Sequence, residues 1–115
     1  MNALRLPEPL LAAARQVGQD LCWPAKEGEA IIRELAKLGL AILGLELWMF
    51  DEDDGPRVVG WTDYELDLNA PWDQVVRDAA DRAEREILEH VGNKGLWINI
   101  QWITREEASP PEAHR

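Results

Sequence analysis

The sequence predicts a single α+β domain in which a three-stranded, mostly antiparallel sheet carries helices on one face. Its 115 residues are enough for one hydrophobic core and too few for two. The hydrophobic spacing changes along the chain between the period of an amphipathic helix and the period of two that is typical of a strand. The segments follow the order α-α-β-β-α-β, and a tight turn between adjacent strands favours antiparallel pairing.

The first two segments are predicted helices. The first spans residues 8 to 18 and would end at Gly18. Its apolar face would hold Leu10, Leu11, Ala14 and Val17. The second spans residues 27 to 38, and Gly39 stands at the C-terminal position that helices commonly give to glycine. The loop between the two helices contains Cys22, Trp23 and Pro24.

The middle of the chain is predicted to be a β-hairpin. From Ala41 the hydrophobic period becomes two, so successive side chains point to opposite sides of a strand. Gly55 and Pro56 favour a turn, after which residues 57 to 66 return as the second strand. One side of the first strand would carry Leu43, Leu45, Leu47 and Met49. The other side would carry Ile42, Gly44, Glu46, Trp48 and Phe50.

A long helix and a third strand complete the predicted domain. Asn69 can cap this helix and Pro71 suits its first turn, and apolar residues then recur every three or four positions as far as Val91. Residues 96 to 104 form the third strand. The helices would bury a face made of Leu43, Leu45, Leu47, Met49, Ile98, Ile100 and Trp102. The single domain would thus span residues 1–105, followed by a flexible polar tail over residues 106–115.

The opposite surface of this sheet, called the second face below, combines aromatic side chains with acids and amides. The residues placed on it are Glu46, Trp48, Trp61, Asp63, Glu65, Trp97, Asn99 and Gln101. This placement requires that no bulge shifts the register of the hairpin. Tryptophan often anchors protein interfaces, and carboxylates suit a cationic partner. We therefore expect partner binding through Glu46, Trp48, Trp61, Asp63, Glu65 and Trp97. In the alternative arrangement, helices cover both sheet faces or the register slips, and the three tryptophans are core residues.

The charge balance points to a basic partner. Twenty-two acidic residues against 12 basic ones give a net charge of −10. Such a field repels nucleic acid and anionic membranes while it attracts basic proteins and speeds encounter with them. We therefore expect a basic protein partner, with neither nucleic acid nor a membrane as a target.

The distribution of cysteine and of apolar residues predicts a cytoplasmic protein. The chain contains a single cysteine, Cys22, which fits a reducing compartment. Its N-terminus lacks the basic start and long apolar run of a signal peptide. None of its apolar stretches approaches the roughly 18 residues of a membrane span.

Residues suited to catalysis are few, so we expect neither an enzyme nor a cofactor. The only serine is Ser109, in the predicted tail, and His90 falls near a helix end, where an imidazolium complements the helix dipole. The DEDDG loop lacks the acids that a calcium-binding loop needs at its first and twelfth positions, so no metal site is expected. A small hydrolase that uses Glu46 with Asp63 or Glu65 as acid and base is the enzymatic alternative.

One part of the sequence resembles a known family. The run EAIIRELAKLGLAILGLELW, followed by an acidic hairpin and GWTDYELD, resembles small immunity proteins of bacterial polymorphic toxin systems. The resemblance covers residues 29 to 67. It implies a cytoplasmic antitoxin that binds a cognate toxin domain, often a nuclease, and blocks it by occlusion without catalysis. A different non-enzymatic reading is a scaffold or regulatory subunit that forms a homodimer through its sheet.

Overall fold

Helices and an antiparallel sheet make up the described part of the chain. The computed structural model describes residues 6–51, 53, 55–92 and 94–108. Within these residues the strands are β1 (Arg15–Val17), β2 (Asp20–Pro24), β3 (Ala41–Asp51), β4 (Gly55–Asp63) and β5 (Leu96–Ile103). The helices are α1 (Glu8–Ala13), α2 (Gly28–Lys37), α3 (Trp72–His90) and α4 (Arg105–Ala108), with a 3-10 turn at Ala25–Glu27. The strand order across the sheet is β1-β2-β5-β3-β4, and each neighbouring pair is antiparallel.

The α+β class is confirmed, but the prediction of a three-stranded sheet in the order α-α-β-β-α-β is wrong. The described residues form five strands, because the segment predicted as the end of the first helix and a loop pairs as β1 and β2. α1 stops at Ala13, and Ala14 already has extended backbone angles (φ −85°, ψ 153°). Gly18, with a φ of 62°, then allows the two-residue turn that joins the strands. Pairing of β2 with β5 buries Trp23 completely.

The core lies between the sheet and helices α2 and α3. Its largest fully buried aliphatic side chains are Ile32, Leu35, Ile42, Leu45, Ile87 and Ile98. Each contributes roughly 2 kcal/mol through removal of apolar surface from water. The indole nitrogen of Trp23 donates a hydrogen bond to the carbonyl oxygen of Leu10 at 2.8 Å, which fastens α1 to the sheet. Because side chains alternate along a strand, and Leu45 and Ile98 face the core, the second face lies on the side of the sheet opposite to α2 and α3.

The predicted helices in the second and third positions are present with small changes at their ends. α2 ends in a Schellman motif, in which Leu40 N–H donates to Leu35 O and Gly39, at a φ of 79°, donates to Ala36 O. α3 begins at Trp72 after Pro71, and Asn69 does not cap it. The Asn69 N–H instead donates to the carboxylate of Asp67.

Two irregularities of β3 pairing change which side chains share a face. The first lies between Ile42 and Gly44 opposite β5. It turns Ile42 into the core, so the prediction that Ile42 shares a side of the strand with Glu46 is wrong. The second lies between Leu47 and Trp48 opposite β4, where Trp48 faces Val58 and Val59 becomes an extra residue. The expected unshifted register of the hairpin is therefore also wrong.

The ends of the chain lie partly outside the described residues. Of the predicted tail, residues 106 to 108 belong to α4, whereas residues 109 to 115 are not described. None of the helices in the described segments is both long enough and apolar enough to cross a membrane.

Candidate functional site

Strand register brings most of the predicted binding residues onto the second face. Glu46 of β3 lies opposite Trp61 of β4 and Asn99 of β5, and Trp48 lies opposite Trp97. Residues directly opposite each other in an antiparallel pair extend to the same side of the sheet. The same rule places Asp63 on this face, because it pairs with Gly44.

Glu65 differs from the other predicted residues, because it lies beyond Asp63, the last residue of β4. Its side chain is exposed, and its backbone oxygen accepts a hydrogen bond from Arg82 of α3 at 2.8 Å. It therefore borders the second face in the connection to α3 instead of extending from a strand.

The three tryptophans of the second face have different surroundings. Trp61 is 71% exposed, whereas Trp48 is 8% exposed and Trp97 is half-buried. The ring of Trp48 stacks on Phe50 with a centroid distance of 6.2 Å, and Phe50 meets the ring of Trp97 edge-on at 5.2 Å. Trp61 is thus the one of these three rings that is free to contact a partner with most of its surface.

Arg15 covers part of this aromatic cluster. Its guanidinium carbon lies 4.2 Å from the ring centre of Phe50 and 5.8 Å from that of Trp97, within the range of a cation–π interaction. An open cavity of about 190 Å³ lies beside the pair, between Arg15, Phe50 and the hairpin residues Asp51, Gly55 and Pro56.

Sequence reasoning missed Arg15 because it assigned this residue to a helix. The signal that was available is Gly18, which suits a hairpin turn as well as a helix end.

A row of polar side chains crosses the second face from β2 to β3. The register pairs Cys22 with Asn99 and Asn99 with Glu46. The half-buried carboxylate of Glu46 accepts a hydrogen bond from the indole nitrogen of Trp48 at 3.3 Å. Asn99 is 5% exposed, and its side-chain nitrogen donates to the carbonyl oxygen of Leu21 at 2.9 Å. These two hydrogen bonds orient the side chains of Glu46 and Asn99. Glu46 is the acidic residue of this row, and its carboxylate remains partly exposed to solvent.

Cys22 is a buried thiol of low reactivity. It is fully buried, and this burial, together with the carboxylates of Asp20 and Glu46, raises its pKa from 9.0 to about 11 against the opposing effect of Arg15. Because the thiolate is the nucleophilic form, such a thiol reacts slowly at neutral pH. We therefore assign Cys22 a role in packing and not in chemistry.

Glu86 of α3 forms hydrogen bonds with side chains on the helix-facing side of β4 and of the residue that follows it. Its carboxylate accepts hydrogen bonds from the hydroxyl groups of Thr62, at 2.5 Å, and Tyr64. Burial and the neighbouring Glu86 carboxylate raise the pKa of Tyr64 well above its usual value. Since Thr62 and Tyr64 point toward α3, the residues that alternate with them, Trp61 and Asp63, point away from it. Sequence reasoning missed Glu86, because helical periodicity alone does not reveal a hydrogen bond to a distant strand.

β4 forms an edge of the sheet with an apolar centre and acidic ends. Val58, Val59 and Trp61 are 42%, 45% and 71% exposed, respectively. Asp51 and Asp53 stand at the turn end of the strand, and Asp63 and Glu65 at the other. Arg57 lies between them, and its Nε is 2.8 Å from the carboxylate of Asp51. This edge is continuous with the second face through Trp61.

Other surfaces of the described residues combine fewer exposed aromatic and charged side chains. A shallow cavity of about 440 Å³ between α2 and α3 is lined by basic residues and acids in similar number. Among the described residues, no three histidine, cysteine or acidic side chains are grouped so that they could hold a metal ion. The strongest combination of exposed aromatic and charged groups is therefore at Trp61 and its neighbours.

No protein-family model, curated protein or solved structure matches this chain. The second face and the exposed edge of β4 are therefore the features of the described residues that bear on function.

Proposed function

We propose that this chain is a cytoplasmic, non-enzymatic inhibitor of the immunity type. It binds a basic toxin domain, such as a nuclease, and blocks that domain by occlusion. The observation that carries the proposal is the 71% exposure of Trp61 between Glu46, which lies opposite it, and Asp63 in the same strand. The combination supplies an aromatic anchor within an acidic rim, as protein interfaces require.

The apolar contribution to binding would come mainly from Trp61. A tryptophan buries about 200 Å² when it is fully enclosed, so covering the exposed part of this ring would contribute roughly 3 kcal/mol. Trp48 and Trp97 have a different part in the proposal. Because they pack with Phe50, they keep the surface beside Trp61 rigid, and a rigid surface loses less conformational entropy on binding.

The acids would determine which partners approach. Asp63 and Glu65 are exposed and lie at the rim of the site, where charges change the association rate more than the final affinity. The net charge of −10 acts in the same direction over a longer range. A basic protein is thus drawn toward the surface on which Trp61 is available.

The test is affinity capture from the source cells with three forms of the protein as bait. The site variant carries Trp61→Ala and Asp63→Lys. The matched control carries Leu88→Ala and Asp81→Lys, which make the same kinds of change on exposed positions of α3. Circular dichroism would establish that all three forms are folded.

The proposal predicts that the wild type and the control retain the same basic protein and that the site variant loses it. The wild type should also inhibit the activity of that protein after purification. Equal retention by the site variant would show that binding occurs at another surface. Retention without inhibition would contradict the role as an inhibitor.

A further inference from the structure

We infer that the partner adds an extended strand to the free edge of β4, and that this strand has apolar residues at its centre and basic residues at both ends. The inference rests on the proposed function, since it specifies how the basic partner would bind at Trp61. It goes further by naming backbone pairing, and not side-chain contact with the sheet face alone, as the mode of recognition.

Backbone geometry identifies the groups that would form the pairing. The N–H of Tyr64 donates to the carbonyl oxygen of Leu43 at 2.8 Å and therefore points toward β3. Backbone groups alternate in direction along a strand, so those of Thr62 also point toward β3, and those of Trp61 and Asp63 point outward. The tight approach on the inner side agrees with this, because a Cβ added to Gly44 would lie 2.5 Å from Thr62 O.

The outward groups lie beside the most exposed apolar side chains of the strand. Val58, Val59 and Trp61 surround them at 42%, 45% and 71% exposure. An exposed edge of this kind is a template for an added strand. The apolar side chains of such a strand would cover these residues while its backbone bonded to Trp61 and Asp63.

The charges at the two ends of β4 select the occupant. Asp51 and Asp53 lie at one end, and Asp63 and Glu65 at the other. Arg57 lies within the strand and forms an ion pair with Asp51, which lowers the charge that both groups present, so Asp53 is the acid that a basic residue would meet at the turn end. A strand with basic residues at both ends would therefore meet opposite charge at both ends.

A second copy of this chain fits the edge less well. Each copy carries a net charge of −10, and an antiparallel pair of β4 strands would bring two sets of acids close together. Pro56, which lacks an N–H, and the irregular pairing at Val59 hinder any added strand at the turn half of β4, so backbone pairing is expected at Trp61 and Asp63. Charge therefore disfavours a second copy, while the regularly paired part of the edge at Trp61 and Asp63 suits a basic strand.

The test uses three synthetic nine-residue peptides and nitrogen-15 NMR of the whole protein. The first has two lysines at each end and five alternating valine and threonine residues between them. The second has glutamates in place of the lysines. The third repeats the first with N-methyl groups on alternate backbone amides, so that its charge is kept and its hydrogen bonding to an edge is lost.

The inference predicts that the lysine peptide shifts amide signals of β4 and binds at least about tenfold more tightly than the other two peptides, because it alone offers both complementary charge and free amides. Equal binding of the N-methylated peptide would overturn strand addition and leave the proposed function standing. Binding of the lysine peptide elsewhere, or none at millimolar concentration, would also overturn it. A dimer that tightens with added salt would assign the edge to a second copy instead.

A pair of variants at one position provides a second readout. Asp63→Ala removes the carboxylate, whereas Asp63→Pro removes both the carboxylate and the outward N–H. Strand addition predicts that the proline variant binds the lysine peptide at least about fivefold more weakly than the alanine variant, which corresponds to one lost hydrogen bond. Equal affinities in two folded variants would contradict pairing at this N–H.

Discussion

Trp48 and Trp61 lie on the same surface of the sheet but in different surroundings. The ring of Trp48 is enclosed by its stack with Phe50 and is 8% exposed, whereas Trp61 is 71% exposed. Removal of an enclosed ring leaves a cavity, while removal of an exposed ring leaves surface. The side chains of the second face are thus divided between those that stabilise the fold and those available to a partner.

This division predicts opposite effects of two alanine substitutions. Trp48→Ala should lower the free energy of unfolding by about 3 kcal/mol, because the cavity cannot refill completely. Trp61→Ala should change it by less than about 0.5 kcal/mol and should weaken partner binding. Urea denaturation of both variants measures the first quantity. A larger loss of stability for Trp61→Ala than for Trp48→Ala would contradict the assignment.

The buried thiol of Cys22 predicts a loss of stability at alkaline pH. Its pKa is raised from 9.0 to about 11 by burial and by the Asp20 and Glu46 carboxylates. Above pH 9.0 the unfolded chain releases this proton while the folded protein retains it, so the stabilisation present below pH 9.0 is lost as the pH rises to about 11.

The measurement is the free energy of unfolding as a function of pH for the wild type and Cys22→Ala. Lysine and tyrosine residues titrate in both proteins, so the difference between the two curves isolates the thiol. The wild type should lose stability relative to the variant between pH 9.0 and about 11. Parallel curves across this interval would show that Cys22 ionises equally in both states.

At the scale of single elements, Glu86 connects β4 to α3. Its carboxylate accepts bonds from Thr62 and Tyr64, and hydrogen bonds to a charged group contribute about 1.5–3 kcal/mol each. Glu86→Ala should therefore lower the free energy of unfolding by about 3 kcal/mol or more, because it removes both bonds. In a double-mutant cycle, Tyr64→Phe should cost less when Glu86 is already alanine. Additive effects of the two substitutions would contradict a bond between these side chains.

The elements predicted well from the sequence are those with a long, regular hydrophobic period. α2, the β3–β4 hairpin, α3 and β5 all have this property. The β1–β2 hairpin was missed because Leu10, Leu11, Ala14 and Val17 recur at helical spacing and Gly18 suits the end of a helix. β2 is determined by its pairing with β5, whose residues are distant in the sequence, and β1 pairs in turn with β2. Local periodicity carries no information on such a contact.

Prediction of the candidate site was limited by pairing details within the sheet. Alternation along the strands was sufficient to place Glu46, Trp48, Trp61 and Trp97 on one face. It could not show that Phe50 and Arg15 would cover part of that face, because Arg15 reaches it only through the β1–β2 hairpin. The exposure of each tryptophan therefore required the tertiary structure. Its role in partner binding stays a prediction.

At the scale of the whole molecule, the sheet separates two kinds of surface. The layer of α2 and α3 covers the core on one side and carries exposed ion pairs, such as those of Arg33 with Glu29 and Glu84. On the other side, Asp63 follows the exposed Trp61 in the same strand, and the exposed Glu65 lies beyond the end of that strand. The net charge of −10 would thus act on a partner together with a defined acidic site.

An acidic binding site at Trp61 is tested most sharply by the association rate of the captured basic protein at increasing salt, measured by stopped-flow mixing with the wild type, Asp63→Asn and Asp81→Asn. The screening length falls from about 30 Å at 0.01 M to about 8 Å at 0.15 M ionic strength. We expect the wild-type rate to fall about tenfold or more over this range, and Asp63→Asn to slow association at low salt more than Asp81→Asn does. A rate that does not depend on salt, or equal rates for the two variants, would contradict an acidic binding site at Trp61.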